Sequence, residues 1–336
     1  MKKSTIINLI FVLAIGIALH LLRKAGFING YYDHILTKIC MFIIAAVSLN
    51  LINGICGQFS LGHAGFMAVG AYIAAIFTKN PGLIIPEAIA GMPRFFVALI
   101  IGGLMAAFVG FLVGLPTLRL RGDYLAITTL GFGEIIRVLL LNWKFVGGAS
   151  GYFGIKPYAN FLSVYVLAVI TVFIIQNFIT SSYGRACIAI REDEMAAETM
   201  GIHTTKYKII AFVLAAFFAG IAGGIYAHLM QAIMPRDFSF LVSVDILLMV
   251  VLGGLGSTSG SIMAAIFLTL VTESLRRFQS LRVIIYSLML IFIMIFRPQG
   301  LLGGQELSVS MLKEKIKLLF GRIKPEKGYA STNGTE

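Results

Sequence analysis

The most constraining feature of this sequence is its series of long, uncharged apolar runs. Residues 95–115 read FFVALIIGGLMAAFVGFLVGL, and comparable runs recur along the chain. Crossing about 30 Å of hydrocarbon takes roughly 20 apolar residues in helical form. Only 12% of the residues are charged, whereas about a quarter is usual in soluble domains. The sequence therefore predicts an integral membrane protein.

We expect helices to make these crossings, because the alternating-polarity segments typical of a membrane barrel do not occur in the sequence. The predicted fold is all-α, a polytopic membrane bundle of about eight to ten transmembrane segments, some of them broken by glycine or re-entrant. The apolar segments are 6–22, 36–54, 63–79, 95–115, 124–141, 161–179, 207–230, 244–254, 261–276 and 280–296.

The basic residues agree with the positive-inside rule. If Lys2 and Lys3 lie on the cytoplasmic side, six crossings return the chain to that side at a charged loop, about 184–206. Four more crossings return the end of the chain to the same side. We therefore expect a transmembrane domain over 1–306 and a basic cytoplasmic tail over 307–336. This topology explains the net charge of +12, so binding to nucleic acid is not expected.

Two features leave alternatives open. Separating 244–254 from 261–276 places three arginines outside, whereas one merged helix would export the tail instead; the arginines are Arg276, Arg277 and Arg282. We keep the split because each glycine in LGGLGSTSGS costs a helix about 1 kcal/mol relative to alanine. The basic, apolar start resembles a signal peptide, but its run is long and no small-residue cleavage site follows, so we interpret it as the first anchor.

Glycine marks the expected hinges or helix breaks. Two such positions lie in the LGFGE sequence and three in the LGGLG sequence. The predicted hinge or break residues are Gly131, Gly133, Gly253, Gly254 and Gly256.

The sequence contains no recognisable catalytic machinery. A phosphate-binding loop requires a Gly-Lys pair, and the chain has none, so it cannot hydrolyse ATP itself. We find no nucleophile paired with a base and no cluster of metal ligands, and Cys40, Cys56 and Cys187 lack CxxC spacing. We expect no enzymatic activity, no metal site, no disulfide framework and no cofactor bound by this chain.

Few charges fall within the apolar segments. Glu134 and Arg137 are three residues apart, a spacing that predicts an intramembrane ion pair, and we interpret His63 as a hydrogen-bonded packing residue. A route with so little charge suits neutral or zwitterionic solutes better than ions. Uncharged polar residues near the flexible segments either line that route or are satisfied by neighbouring helices; they are Asn50, Gln58, Ser60, Thr128 and Thr129.

Charge is concentrated in the stretch GRACIAIREDEMAAETMGI, residues 184–202. Read as one helix over 186–200, it aligns Ala189 with Met200 on one side and pairs Arg191 with Glu194. Because the chain has no phosphate-binding loop, this internal loop is a candidate for the part that receives force from a separate ATPase. The predicted coupling residues are Arg185, Ala189, Arg191, Glu192, Asp193, Glu194, Ala196, Ala197 and Gly201.

The sequence resembles the permease subunits of bacterial branched-chain amino-acid ABC importers, and most closely their M-type branch. The resemblance covers about 36–303. It is carried by SLNLINGICGQFSLGHAGFMAVGAY (48–72), LRLRGDYLAITTLGFGEIIR (118–137), GRACIAIREDEMAAETMGI (184–202), MVVLGGLGSTSG (249–260) and FRPQGLLG (296–303).

The resemblance implies a complex in a bacterial inner membrane. Its other members would be a paralogous H-type permease, two cytosolic ATPases that use ATP and Mg²⁺, and an extracytoplasmic solute-binding protein, with membrane lipid around them. It also implies that 184–202 is the coupling loop. The broader ABC pattern aligns Ala196 and Ala197 with Gly201, but its glutamate position falls on Met195.

The implied solutes are leucine, isoleucine and valine. Similar permeases carry urea, short amides or nucleosides, so these remain alternatives. From another functional class, a secondary transporter driven by an ion gradient is the second hypothesis.

Overall fold

The computed structural model describes residues 29–80, 91–118, 120 and 122–275, with the isolated positions 16, 287, 288 and 291. In this part of the chain nearly all regular structure is helical. The helices are α1 Gly30–Asn50, α2 His63–Lys79, α3 Met92–Thr117, α4 Asp123–Asn142, α5 Phe161–Thr180, α6 Ser182–Glu192, α7 Glu194–Thr199, α8 Thr204–Met230, α9 Phe240–Gly253 and α10 Thr258–Ser274.

Shorter elements complete the described fold. A π-helical turn, Leu51–Ile55, continues α1 directly. Three 3₁₀ turns lie in the connections, at Lys144–Val146, Gly148–Ser150 and Pro235–Phe238.

Within the described residues, five helices are long and apolar enough to cross a membrane. They are Gly30–Ile55, Met92–Thr117, Asp123–Asn142, Phe161–Thr180 and Thr204–Met230. The predicted polytopic helical membrane bundle is therefore confirmed.

Eight of the ten predicted apolar segments fall on described helices. The other segments, 6–22 and 280–296, lie almost wholly outside the described residues. So do the tail 307–336 and the arginines Arg276, Arg277 and Arg282.

Glycine allows α2, α3 and α8 to approach at backbone distance. A methyl group on Gly70 would collide with the backbone of Gly220, and one on Gly220 would lie 3.0 Å from the Cα of Gly103. Apolar lipid gives little hydrophobic drive for helix association, so close packing of small residues supplies the attraction instead. Gly220 therefore lies at the centre of this three-helix contact.

A small sheet marks one end of the bundle. Strand β1, Tyr152–Phe153, pairs antiparallel with β2, Ala232–Ile233. Lys79 at the end of α2 donates to the carbonyl of Phe153 at 2.8 Å. Because β2 follows α8 directly, the sheet lies at the opposite end of this long helix from α6 and α7.

Helices α9 and α10 are separate, as the sequence predicts. Gly254–Ser257 lies between them without helical structure. At the far end of α10, Glu273 accepts a hydrogen bond from Tyr31 at 3.1 Å and lies 3.6 Å from Lys38 Nζ. Since both partners lie in the first half of α1, α10 runs antiparallel to α1.

Replacing Gly70 with alanine tests the three-helix contact. The new methyl group overlaps the Gly220 backbone, so we expect Gly70→Ala to lower the free energy of unfolding in detergent by about 1–3 kcal/mol. Gly131→Ala is the matched control, because nothing lies within 4 Å of its Cβ position. The control should be neutral or slightly stabilising. Equal stability of the two variants in denaturant titrations would contradict the packing argument.

Candidate coupling segment and helix breaks

The charged stretch folds as two short helices, so the prediction of a single helix over 186–200 is wrong. Asp193 separates α6 from α7 with an extended backbone, φ −155° and ψ 110°. Its Oδ1 accepts a hydrogen bond from the backbone N–H of Ala196 at 3.0 Å. Aspartate favours helix N-caps because its side chain satisfies a free N–H there. Asp193 therefore starts a new helix rather than continuing α6.

Gly201 ends α7 through a Schellman motif. Its φ is +83°, a region that favours glycine. Gly201 N donates to Glu198 O at 2.9 Å, and Ile202 N donates to Ala197 O at 3.0 Å. No atom lies within 4 Å of a Cβ built here, so the position requires glycine for its backbone and not for its small size.

The break at Asp193 also changes the ion pairs, and the predicted pair of Arg191 with Glu194 is not formed. Arg191 Nε instead donates to Glu192 Oε1 at 3.1 Å. Glu194 Oε1 lies 2.8 Å from the ammonium of Lys208, whose side chain is only 8% exposed. The second pair fixes α7 against the first turns of α8.

The remaining predicted coupling residues are unequally exposed. Ala197 is buried and Ala189 is half-buried, while Arg185, Glu192, Asp193, Ala196 and Gly201 are exposed.

Met195 and Met200 are 59% and 82% exposed on this segment. Neither is among the predicted coupling residues, although both belong to the same charged stretch. Flexible methionines on an exposed surface are typical of sites that dock other proteins.

The first helix break lies between α1 and α2. After the π-turn, residues 56–62 are not helical, and Gly57 has a φ of +67°. Asn53 bridges the break, because its Oδ1 accepts from Ser60 N at 3.2 Å. Asn53 is not among the predicted site residues, although an asparagine within a glycine-rich interruption is a suitable signal for this role.

Neighbouring helices satisfy further backbone donors at this break. Leu61 N donates to the Thr129 hydroxyl at 3.1 Å, and Ala64 N donates to the Ser243 hydroxyl at 2.9 Å. Irregular backbone at membrane depth requires such internal partners. Thr129 thus serves as a structural acceptor here.

Two polar side chains at the break have no hydrogen-bond partner among the described residues. Both amide atoms of Gln58 and the hydroxyl of Ser60 are buried without a hydrogen bond. Asn50, by contrast, accepts from Gly256 N at 2.9 Å, and Thr128 donates to the Tyr124 carbonyl of its own helix at 2.7 Å. Of the five predicted route residues, Gln58 and Ser60 alone retain free buried hydrogen-bonding groups.

The second helix break is Gly254–Ser257, where the glycine interruption was predicted. Gly254 and Gly256 have φ values of +100° and +86°. Gly253 packs against Gly260, since a methyl group on either would collide with the other's backbone. Ser257 then caps α10 by accepting from Gly260 N at 3.1 Å.

The helix break predicted at Gly131 and Gly133 is wrong, because α4 continues through both residues, whereas a hinge at these residues stays a prediction. A methyl group on Gly65, in the first turn of α2, would lie 2.9 Å from the Cα of Gly133. Gly133 therefore lies at a close approach of α4 to the start of α2.

The two expected polar packing contacts within the spans are present. Arg137 Nε donates to Glu134 Oε2 at 2.7 Å, and these side chains are 28% and 32% exposed. His63 Nε2 lies 2.9 Å from the Ser48 hydroxyl in the core.

Through Arg191, the α6–α7 segment lies against both breaks. Arg191 Nη1 donates to the carbonyl of Gly54 at 2.9 Å. Nearby, the Cys187 thiol donates a hydrogen bond to the carbonyl of Tyr207 at 3.8 Å. The three cysteines are buried free thiols, and the described residues contain no group of three ligands that could hold a metal ion.

Comparison with known proteins supplies the family context. The family model described as "Branched-chain amino acid transport system / permease component" matches residues 31–296. The chain is 36% identical over 327 residues to the "High-affinity branched-chain amino acid transport system permease protein LivM" of Salmonella typhimurium (strain LT2), covering 87% of this chain and 73% of that protein. LivM of Escherichia coli (strain K12) is 37% identical over the same shares.

A second permease type is also similar. LivH of Escherichia coli (strain K12) is 26% identical over 187 residues, which is 55% of this chain and 60% of that protein. No solved structure matches the chain.

The Glu194–Lys208 pair yields a stability prediction. Glu194→Gln removes this partner of a buried ammonium, so we expect a loss of about 1–3 kcal/mol in the free energy of unfolding. Adding Lys208→Gln should recover part of that loss, because the buried charge is then removed. Glu192→Gln is the control, since its carboxylate is largely exposed and the change should stay within about 0.5 kcal/mol. Additive effects in the double-mutant cycle would contradict the pairing.

Proposed function

The chain belongs to the family of permease components of branched-chain amino acid transport systems, and from that membership we propose its role. It is the transmembrane permease subunit of an ATP-driven importer that carries leucine, isoleucine and valine into the cell. The observation that carries this proposal is the family match over 31–296, which includes both helix breaks and the α6–α7 segment. The chain is a transport component and not an enzyme.

The complex around it is part of the proposal. Two cytosolic ATPases bind and hydrolyse ATP with Mg²⁺, because the chain has no phosphate-binding loop of its own. A solute-binding protein delivers the amino acid from outside the inner membrane of a bacterium. The face with the β1–β2 sheet suits that protein, since it lies at the opposite end of α8 from α6 and α7.

The ATPases dock on the α6–α7 segment. It presents exposed charge at Arg185 and Asp193 beside the exposed methionines Met195 and Met200. Such a surface combines apolar contact with polar orientation, as protein interfaces do.

The second permease packs against α4. Glu134 and Arg137 form an ion pair in a membrane span with about a third of each side chain exposed, and open space faces Gly131. Charge facing lipid is costly, so charged groups in spans face protein or a polar cavity. We assign this face to the H-type permease, and the similarity of the chain to LivH supports a partner of related fold.

The solute route passes the first helix break. Gln58 and Ser60 are 4% and 1% exposed and have unused hydrogen-bonding groups. Leaving such groups buried and unpaired costs about 1–3 kcal/mol each, so a passing ammonium or carboxylate group is a favourable partner. Unwound segments in membrane transporters hold solutes in this way.

Reconstitution in proteoliposomes tests the function. We expect leucine uptake with the partner permease, both ATPases, the binding protein and ATP, and no uptake when any one of them is omitted. Urea, acetamide and uridine at a hundredfold excess should not compete. ATP-independent uptake by this chain alone on an ion gradient would contradict the proposal, and competition by one of those solutes would replace the assigned substrate.

Substitution at Gln58 tests the route. Gln58→Leu replaces the amide group with an apolar side chain of similar size, so we expect leucine uptake to fall by about tenfold, the effect of one lost hydrogen bond of about 1.4 kcal/mol. Thr128→Val is the control, because the Thr128 hydroxyl bonds to its own helix. Both variants should retain assembly and binding-protein-stimulated ATP hydrolysis. Equal uptake by the two variants would exclude Gln58 from the route.

A further inference from the structure

Arg191, near the end of α6, lies against both helix breaks. The sequence placed it among residues that dock the ATPase. We propose instead that Arg191 is the positioning residue that passes movement of α6 to the two breaks and so to the solute route. This inference rests on the proposed import function, since it assigns the internal half of the coupling path.

The first contact holds the end of the π-turn. Arg191 Nη1 donates to Gly54 O at 2.9 Å. Gly54 lies in the last turn of its helix, where carbonyl groups lack intrahelical donors. The guanidinium supplies a charge-assisted hydrogen bond to this free carbonyl. Arg191 therefore closes the helix that leads directly into the break at 56–62.

Close packing strengthens this contact. A Cβ built on Gly57 would lie 2.6 Å from Arg191 Cγ. Gly57 also has a φ of +67°, so the chain turns at the point where the arginine stem presses against it. Displacement of the stem therefore acts directly on the backbone between Gly54 and Gln58.

The second break lies against the same guanidinium. A Cβ on Gly256 would lie 3.1 Å from Arg191 Nη1, and Gly256 N donates to Asn50 Oδ1 at 2.9 Å. The turn at Gly256 is thus held between Arg191 and the end of α1. One arginine contacts two interruptions that are far apart in the sequence.

Glu192 orients the arginine for this task. Arg191 donates through Nε at 3.1 Å, and through Nη2, to Glu192 Oε1. Because this pairing uses one edge of the planar guanidinium, Nη1 is left directed at Gly54. A lysine at this position would keep the positive charge but would lack the planar set of donors that lets arginine bind Glu192 and Gly54 at once.

The pair of helices is anchored on both sides of Asp193. Arg191 connects α6 to the breaks, and Glu194 connects α7 to Lys208 on α8 at 2.8 Å. Interruptions between helices are the elements that most readily adopt two arrangements. A tilt of α6 against α8 would therefore first displace the backbone at Gly54, Gly57 and Gly256.

The test compares Arg191→Gln and Arg191→Lys with Arg185→Gln in the complete reconstituted complex. Arg185 is the matched control because its side chain bonds to Thr180 and Ser182 near the start of its own helix. We expect both Arg191 variants to retain binding-protein-stimulated ATP hydrolysis within about twofold, while leucine uptake per ATP falls about fivefold or more, the lower range of allosteric coupling. The control should keep leucine uptake per ATP, because Arg185 lies on the docking surface and a loss there lowers ATP hydrolysis and uptake together.

Two outcomes would overturn the inference. Unchanged uptake per ATP in the Arg191 variants would show that the Arg191 contacts do not couple α6 to the solute route. A parallel loss of ATP hydrolysis and uptake would return Arg191 to the docking surface. Failure of the wild-type complex to import leucine would instead overturn the proposed function, so the two failures are separable.

Hydrogen exchange of the purified full chain in detergent tests the contacts of Arg191 with the two breaks without a transport assay. Arg191→Gln should speed amide exchange in peptides covering 54–62 and 254–258, relative to wild type and Arg185→Gln. Exchange in the middle of α8 should be unchanged, which controls for unfolding. Unaltered exchange at both breaks would contradict the proposal even if the complex carried another solute.

Discussion

The fold depends on one constraint: a backbone N–H or C=O inside the membrane must find its partner within the protein. Regular helices meet it by themselves, whereas the breaks at 56–62 and 254–257 do not. Their backbone groups are satisfied by Asn53, Thr129, Ser243 and Asn50. Polar residues of this apolar chain are therefore concentrated where helices stop, and the unpaired groups of Gln58 and Ser60 lie at the same place.

Small residues make such breaks possible. Glycine brings Gly70 and Gly220 together at backbone distance, and likewise Gly253 and Gly260. Close packing lets short or interrupted helices share a core without a hydrophobic drive from solvent. The α6–α7 segment is then attached to this core by the hydrogen bond from Arg191 to the carbonyl of Gly54. The described bundle thus combines glycine-packed helices with interruptions held by hydrogen bonds.

The residues differ in how far sequence could predict their positions. Local spacing predicted the Glu134–Arg137 pair, because residues three apart always lie on one face of a helix. It failed for Arg191 and Glu194, since capping by Asp193 broke the helix between them. The glycines of the LGFGE sequence did not indicate a helix break, because Gly131 and Gly133 lie in an unbroken helix. Glycine indicates either a break or a close approach, and only the neighbouring helix decides which.

The sequence alone determined the helical membrane fold, most segment positions, the lack of an ATP-binding loop and the family motifs, because these depend on hydropathy and short-range pattern. The tertiary structure decided which polar residues are partnered: Asn50 and Thr129 are satisfied, while Gln58 and Ser60 are not. It also decided that Arg191 meets Gly54 and Gly256. Contacts between residues so far apart along the chain depend on how the helices pack. The spacing of residues within one helix does not determine that packing.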